Sequence, residues 1–483
     1  MAQLLEEGAA ICFGDDAIPP KPRWMRPANH PSADEPVSPR PETVLLDTMA
    51  YIDNETNATT AYGIRSDGES QIQVTFWIAE PPCISYFTVH CPGLKPDAFP
   101  RLPRVVATED DLALLRIPVF PEHNLKDDDR INEFFIYRAG TGGNQKERLR
   151  LLPNPSSLYY ADKEVGILNC PTDDRFFIAV LHRDPFTSPE SRYIHMFDSQ
   201  TWKWDTKPVS PPGSYSYCIT DKVFTIGGRF GSMAWVDLWR GIFIYDVLLG
   251  GTTISYIPLP SSGLPTLKGL GRTVRDIVAV NGFIKYFCMY SPGIDTTNIK
   301  GDWLAYAWRM KYPLQQDWQQ DCHFKASEIN PKHPELLQDM PGGVEKPALM
   351  LRAGSPFLSL HDADVVYILT KPLYIDDMAW VHAVNMSTKT VQGITESSAE
   401  RTVGFMFRYT QSGLFKPVGI EVEQDNDENE DDLWTIVSYN KNRGAPAGAR
   451  QRSMGQRGHQ MDLKNGRGSG SLVRGRGRVM VRE

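Results

Sequence analysis

A chain of 483 residues, 41% hydrophobic and 11% aromatic, has apolar side chains enough for a large core, which excludes a wholly disordered protein. No run approaches the ~20 apolar residues of a membrane helix, and Met1–Asp16 holds Glu6, Glu7, Asp15 and Asp16 with no basic leader, so neither a membrane span nor a signal peptide is expected. The net charge of −8 conceals a division: residues 441–483 carry +9 and the remaining 440 carry −17.

Residues 1–42 include Pro19-Pro20 and Ser38-Pro39-Arg40-Pro41 and read as an extended, disordered lead-in. From 43 to 420 the pattern is all-β. Short β-branched and aromatic runs, such as Ile72–Ile78 and Ser85–Val89, are bounded by Gly, Pro, Asn and Asp. Helical periodicity is weak; short helices are expected only at Glu109–Leu115 and Pro334–Asp339.

Two similar units then follow. Tyr193–Phe197 leads through Asp198 into Trp202-Lys203-Trp204. Val223–Ile226 ends in Gly227-Gly228; Gly241–Asp246 then turns through Gly250-Gly251 into Ile254–Pro260. Asp198 and Asp246, each entering a turn, lie 48 residues apart, within the range of propeller blades. An acid there can accept hydrogen bonds from the amides ahead and hold the hairpin. Weaker copies occur at Glu133–Tyr137, Leu304–Met310 and Trp380–Asn385. The 139 residues from Asp246 to Asn385 leave room for two degraded units between them. A β-propeller-like array of small antiparallel sheets is the expected architecture, with an irregular β-sandwich as the alternative.

Residues 421–432 hold eight acids and read as a solvated linker. Residues 433–440 offer one last strand, and 441–483 form a basic Arg/Gly-rich tail expected to be disordered. Seven scattered cysteines without Cys-x-x-Cys spacing fit reduced thiols, hence an intracellular protein of the cytoplasm or nucleus.

The run Trp235–Leu248, with Trp235, Asp237 and Trp239 close together, resembles the signature of a plant family found mainly in grasses, the domain of unknown function 1618. Leu45-Leu46-Asp47, Ala79–Pro82, Arg275–Tyr286 and Trp303–Trp308 with Trp318 fit it too, so the resemblance spans roughly Val44–Ile420. It implies no established activity and no catalytic residues. Members look similar to kelch and F-box-associated propellers, which bind proteins. The first 40 residues are too short and Pro-rich for an F-box.

Chemistry is hard to find. Arg138–Glu147 follows a strand like a phosphate loop, but Gln145 and Glu147 break the pattern. Asp425-Asn-Asp427-Glu-Asn429 fails as a calcium loop because Glu430 stands where Gly must turn. His182 and His195 can approach across neighbouring strands, without a third donor at zinc spacing. Asp237 reads as a carboxylate bonding loop amides, no partner base being identifiable. Asp198, Trp202, Trp204, Gly227, Gly228, Trp235, Asp237, Trp239 and Asp246 therefore stand as structural blade residues. No catalytic, cofactor or metal residue is expected. Arg467, Arg474, Arg476 and Arg478 are the candidates for phosphate and base contact in a nucleic acid. The expectation is a non-catalytic module for an unknown protein partner, with RNA association through the tail as the alternative and an enzyme of unknown class as a third.

Overall fold

Apolar runs of four to eight residues between turn formers fold here into six small sheets. The computed structural model describes residues 40–416 apart from 120–131, 141–147, 155–160, 184–191, 211–218, 227–230, 261–268, 295–296, 313–316, 332–350, 402–403 and 406–407. Blade 1 holds β1 (Val44–Asp47), β2 (Tyr51–Ile52), β3 (Ala61–Ile64), β4 (Gln71–Trp77) and β5 (Ile84–His90). Blade 2 is β6 (Arg104–Glu109), β7 (Leu112–Pro118), β8 (Asn132–Arg138) and β9 (Leu149–Leu151). Blade 3 is β10 (Val165–Cys170), β11 (Arg175–Arg183), β12 (Arg192–Asp198) and β13 (Lys203–Val209). Blade 4 is β14 (Lys222–Thr225), β15 (Ser232–Asp237), β16 (Gly241–Asp246) and β17 (Ser255–Pro258). Blade 5 is β18 (Arg275–Val280), β19 (Phe283–Tyr290), β20 (Leu304–Met310) and β21 (Gln319–Lys325). Blade 6 is β22 (Asn330–Pro331), β23 (Arg352–Leu358), β24 (Val365–Lys371), β25 (Met378–Asn385) and β26 (Thr390–Ser398).

The first strands β6, β10, β14, β18 and β23 stand side by side about an axis. The last strand, β27 (Tyr409–Ser412), returns to blade 1 and pairs antiparallel with β1, Val44 opposite Ser412 and Asp47 opposite Tyr409. Blade 1 thus joins both ends of the fold, in the order β27-β1-β5-β4-β3. Val105 N donates to Thr48 O at 2.8 Å and Ala50 N to Pro103 O at 2.9 Å, which closes the circle onto blade 2. The sandwich alternative is excluded; the molecule is a six-bladed β-propeller.

Each sheet buries both faces, so strands read as unbroken apolar runs. On β16, Phe243 and Tyr245 pack with Phe177 and Ile194 of blade 3. Their neighbours Ile242 and Ile244 pack with Ile277 and Tyr286 of blade 5. Outer strands are wetter, and tryptophans there bridge blades: Trp204 Nε1 donates to Pro153 O at 2.7 Å and Trp318 Nε1 to Pro258 O at 2.8 Å. Gly166 lies where blades 3 and 4 touch; a Cβ there would overlap Met233 and Val223.

Two expectations need correction. Glu109–Leu115 is not helical: Asp110, at φ 45°, turns β6 into β7. Leu112–Leu115 is buried throughout, and a short run apolar on every side carries no period to separate strand from helix. One blade, not two, lies between Asp246 and Asn385. The extra length sits in the connection between β19 and β20 and in the stretch from β22 to β23. The helix expected at Pro334–Asp339 and the strand expected at 433–440 lie outside the described residues.

Candidate functional site

The strand order puts the lead-ins to the first strands and the second-to-third-strand turns on one face. Here the signature residues of blade 4 gather. Asp237, buried at the end of β15, accepts from Trp239 N at 2.9 Å, Ile219 N at 3.2 Å and Arg240 Nη1 at 2.8 Å. Asp221, in the lead-in to β14, accepts from Leu238 N at 3.0 Å. Arg275 lies over the Trp239 ring at 4.0 Å and donates to Leu238 O at 2.9 Å. The turn 238–240 is thereby fixed against the start of blade 5.

Next to it, charged groups from blades 2 to 5 converge on the axis. Lys222 Nζ is 2.7 Å from Asp276 Oδ1, and Asp276 Oδ2 accepts from Leu358 N at 2.9 Å. Asp162 lies 3.0 Å from Arg116 Nη2 and 4.0 Å from Arg104 Nη1. Arg272 feels Asp276, Asp221 and Arg104 together; burial lowers its pKa to about 10, the carboxylates opposing and Arg104 reinforcing that shift. Burial likewise lowers Lys222 against the pull of Asp276, and raises Asp221 despite the Leu238 amide and Lys163. Asp221 therefore loses some of its negative charge at higher pH than an ordinary carboxylate does. The mouth of the axis is a dense cluster of paired charges of both signs.

The same face carries apolar side chains. Of nine large hydrophobics exposed among the described residues, six lie here: Ile219, Leu270, Leu373, Tyr374, Ile375 and Met378. The turn after β24 is held rigidly, Asp376 Oδ2 accepting from Leu373 N at 2.8 Å and Lys371 Nζ donating to Asp376 O at 3.0 Å. Ile375 at its tip is 76% exposed. Beside it, Pro372 and Arg352 of blade 6 face Ile294, Lys300 and Asp302 of blade 5 across an open cleft of ≈ 610 Å³.

The other predicted residues lie elsewhere. Asp198 closes the β12–β13 turn, accepting from Gln200 N at 3.0 Å and from Arg175 at 2.7 and 2.9 Å. Asp246 instead accepts from Ser232 Oγ. Trp202, at φ 55°, packs edge-on against Phe197. Trp235 donates Nε1 to Glu164 O at 2.8 Å. Gly227, Gly228, Arg467, Arg474, Arg476 and Arg478 lie outside the described residues, as do most of the glycine-rich loop after Arg138 and the acidic run 421–432. Sequence reasoning missed Arg104, Lys222, Arg272 and Asp276, which come from three separate blades; Arg104 and Lys222 open their first strands, and Arg272 and Asp276 flank the start of β18.

His182 and His195 do meet, with ring centroids 5.7 Å apart. His195 Nδ1 lies 2.8 Å from Thr206 Oγ1, and no group of three metal-binding side chains occurs among the described residues. Burial first, and His182 second, push the His195 pKa down to about 4; burial alone takes His382 to about 3. Both should stay neutral at pH 5 in the folded protein, as the ring signals in an NMR titration would report. Because unfolding restores a value near ~6.5, both groups make stability fall as pH drops below that value towards 4. Ring shifts that move at pH 6 would contradict the burial argument.

The fold and this face define a propeller with an ordered, partly apolar loop surface around a charged axis. Residues 235–367 match the family described as protein of unknown function (DUF1618). The match begins at the buried Trp235 and runs through blade 5 into β24. No curated protein matches the chain. Among solved structures it is similar to the hydrazine synthase of Kuenenia stuttgartiensis, with 8% identity, TM-score 0.32 and coverage of 70% of this chain and 79% of that one. The dihydro-heme d1 dehydrogenase NirN gives 11% identity, TM-score 0.31 and coverage of 80% and 79%. A protein of unknown function from Dyadobacter fermentans gives 11%, 0.30, and coverage of 74% and 97%.

Proposed function

We propose that this chain is a non-catalytic protein-interaction module whose loop face docks an apolar segment of another protein. One observation carries the reading: Leu373 and Ile375 project from a turn pinned by Asp376 beside an open cleft, while Tyr374 between them packs edge-on against Phe405. Apolar side chains held out to solvent on a rigid turn lose little freedom on binding, the condition that favours an interaction surface. Asp237, a carboxylate that catalysis could use, is committed to loop amides and Arg240. We place the module inside the cell, since Cys91, Cys170 and Cys288 are buried free thiols.

The test compares full-length chain with a Leu373→Ser, Ile375→Ser variant as bait in extracts of the native tissue. A specific partner should be retained by the first and lost by the second, with unchanged urea unfolding. Equal retention by both baits overturns the docking face. The +9 charge of residues 441–483 favours a second reading, RNA association through Arg467, Arg474, Arg476 and Arg478. Deleting 441–483 should then abolish RNA recovery without touching partner capture; unchanged RNA recovery ends that reading.

A further inference from the structure

We propose that Lys300 and Arg352, at the loop-face end of blade 6, bind a carboxylate side chain of the segment that docks there, so that the partner is an apolar segment carrying an aspartate or glutamate. This rests on the docking reading above and gives its partner a chemistry. Backbone register brings the two cations together. Ile299, in the connection from β19 to β20, bridges antiparallel to Ala353 of β23, and Ala353 N donates to Ile299 O at 3.1 Å. The next positions along, Lys300 and Arg352, therefore come opposite one another, and like charges so placed destabilise the pairing. On its other side Arg352 is in register with Lys371 of β24, which leads directly into the Leu373 turn. Three cations thus lie in a row across three strands, and the row ends beside the exposed Leu373 and Ile375.

The neighbouring carboxylates answer only one end of the row. Lys371 is buried, donates to Asp376 O at 3.0 Å and feels the charges of Asp377 and Asp376. Arg352 Nη1 donates to Asn298 Oδ1 at 2.9 Å, an amide that orients the guanidinium without neutralising it. Neither Arg352 nor Lys300 forms an ion pair with a described residue. Asp302, two residues beyond Lys300, accepts from Ser327 N at 2.8 Å. Lys300 is exposed, Arg352 is half-buried, and both border the open cleft, so an incoming group reaches them from solvent. Two cations beside the one acid Asp302 leave a single positive charge, which suits a carboxylate rather than a phosphate dianion. The guanidinium fork matches the two carboxylate oxygens, and the ammonium adds a point charge.

The experiment selects a phage-displayed library of random linear peptides on the full-length chain. The consensus peptide is then measured by fluorescence anisotropy beside the same peptide with its acid changed to the amide. The consensus should combine large apolar residues with an aspartate or glutamate. The wild type should bind the acidic form about tenfold more tightly than the amide form at low salt. The double variant Lys300→Gln, Arg352→Gln should bind both forms alike, as weakly as the wild type binds the amide. Should it fail to fold, Lys300→Gln alone carries the test: it should lose about threefold of the preference and unfold at the same or a higher urea concentration, a like-charge contact having been removed. The variant Leu373→Ser, Ile375→Ser separates this inference from the docking reading. Peptides that need Leu373 and Ile375 but carry no acid, or that bind the cation variants as tightly as the wild type, overturn the carboxylate site and leave the docking face standing. Peptides indifferent to both sets of changes, or no enriched peptide at all, overturn both. Tighter binding of the same peptide with phosphoserine in place of its acid assigns the cations to a phosphopeptide and overturns the carboxylate site.

Discussion

Replacing Asp47 by Ala should remove about 3–5 kcal/mol of folding stability, the cost of leaving buried charge without its counter-ion. Asp47 ends β1, at the N-terminal side of the closing blade; Arg401 and Arg408 come from the stretch leading into β27, at the C-terminal side. Arg408 Nε donates to Asp47 Oδ2 at 2.8 Å, Arg408 Nη2 donates to the same oxygen, and Arg401 Nη1 lies 3.7 Å from it. All three side chains are at most 3% exposed. Thr48 adds two bonds to the Arg408 carbonyl, at 2.7 and 2.9 Å. Without the carboxylate, two guanidiniums face each other in the seam that joins the ends of the ring. Burial alone would raise the Asp47 carboxyl, but Arg408 and Arg401 outweigh it and hold the pKa below its ordinary 3.8. The stabilisation is therefore full above the unfolded value and is lost as pH falls through the depressed folded one. Urea unfolding followed by far-ultraviolet circular dichroism checks the size, and Asp47→Asn should show no such acid-sensitive contribution. A change below about 1 kcal/mol, the worth of an exposed pair, would mean that the ends are joined by strand pairing alone.

That seam also marks the limit of what sequence reading could reach. Local signals were legible: the hairpin residues Asp198 and Asn385 accept from amides two and three residues on, at 3.0 and 2.9 Å. Strands buried on both faces announced themselves as dense apolar runs, which is why a propeller could be argued without an alignment. Pairings across the ring had no such signal. Asp47 and Arg408 are 361 residues apart, and β27 is only Tyr409–Ser412, a polar run that reads as a loop until β1 supplies its partner. The blade count failed for a related reason: a repeat is measured between like positions, and long connections in blades 5 and 6 stretched the interval. The axial cluster was hidden in the same way. Lys222 and Asp276 look like ordinary solvent-facing charges at strand starts, and only closure of the ring turns them inward. By contrast, Asp237 could be placed from sequence because its partners are the amides of its own turn and of nearby Ile219.

The two signature tryptophans four positions apart should respond very differently to removal. Trp235→Ala is expected to cost about 3–5 kcal/mol, the range for deleting a large aromatic from a packed core. Trp235 is 1% exposed, sits among Phe177, Ile194 and Tyr245 where blades 3 and 4 meet, and gives its indole N–H to Glu164 O. Trp235→Phe keeps most of the packing but leaves that carbonyl without its donor, and should cost about 1–3 kcal/mol. Trp239 is only partly buried, packing at the edge of the apolar cluster of blades 5 and 6 with the Arg275 guanidinium over its ring. Trp239→Ala should therefore cost less, about 1–2 kcal/mol in stability. Its effect should appear instead in the turn 238–240, seen as faster amide exchange at Leu238 and Trp239, whose N–H groups Asp221 and Asp237 accept. Urea midpoints for the three variants give the order directly. Equal losses for Trp235→Ala and Trp239→Ala would mean that the seam between blades 3 and 4 is not a separate packing unit, and that the turn and the core of blade 4 unfold as one.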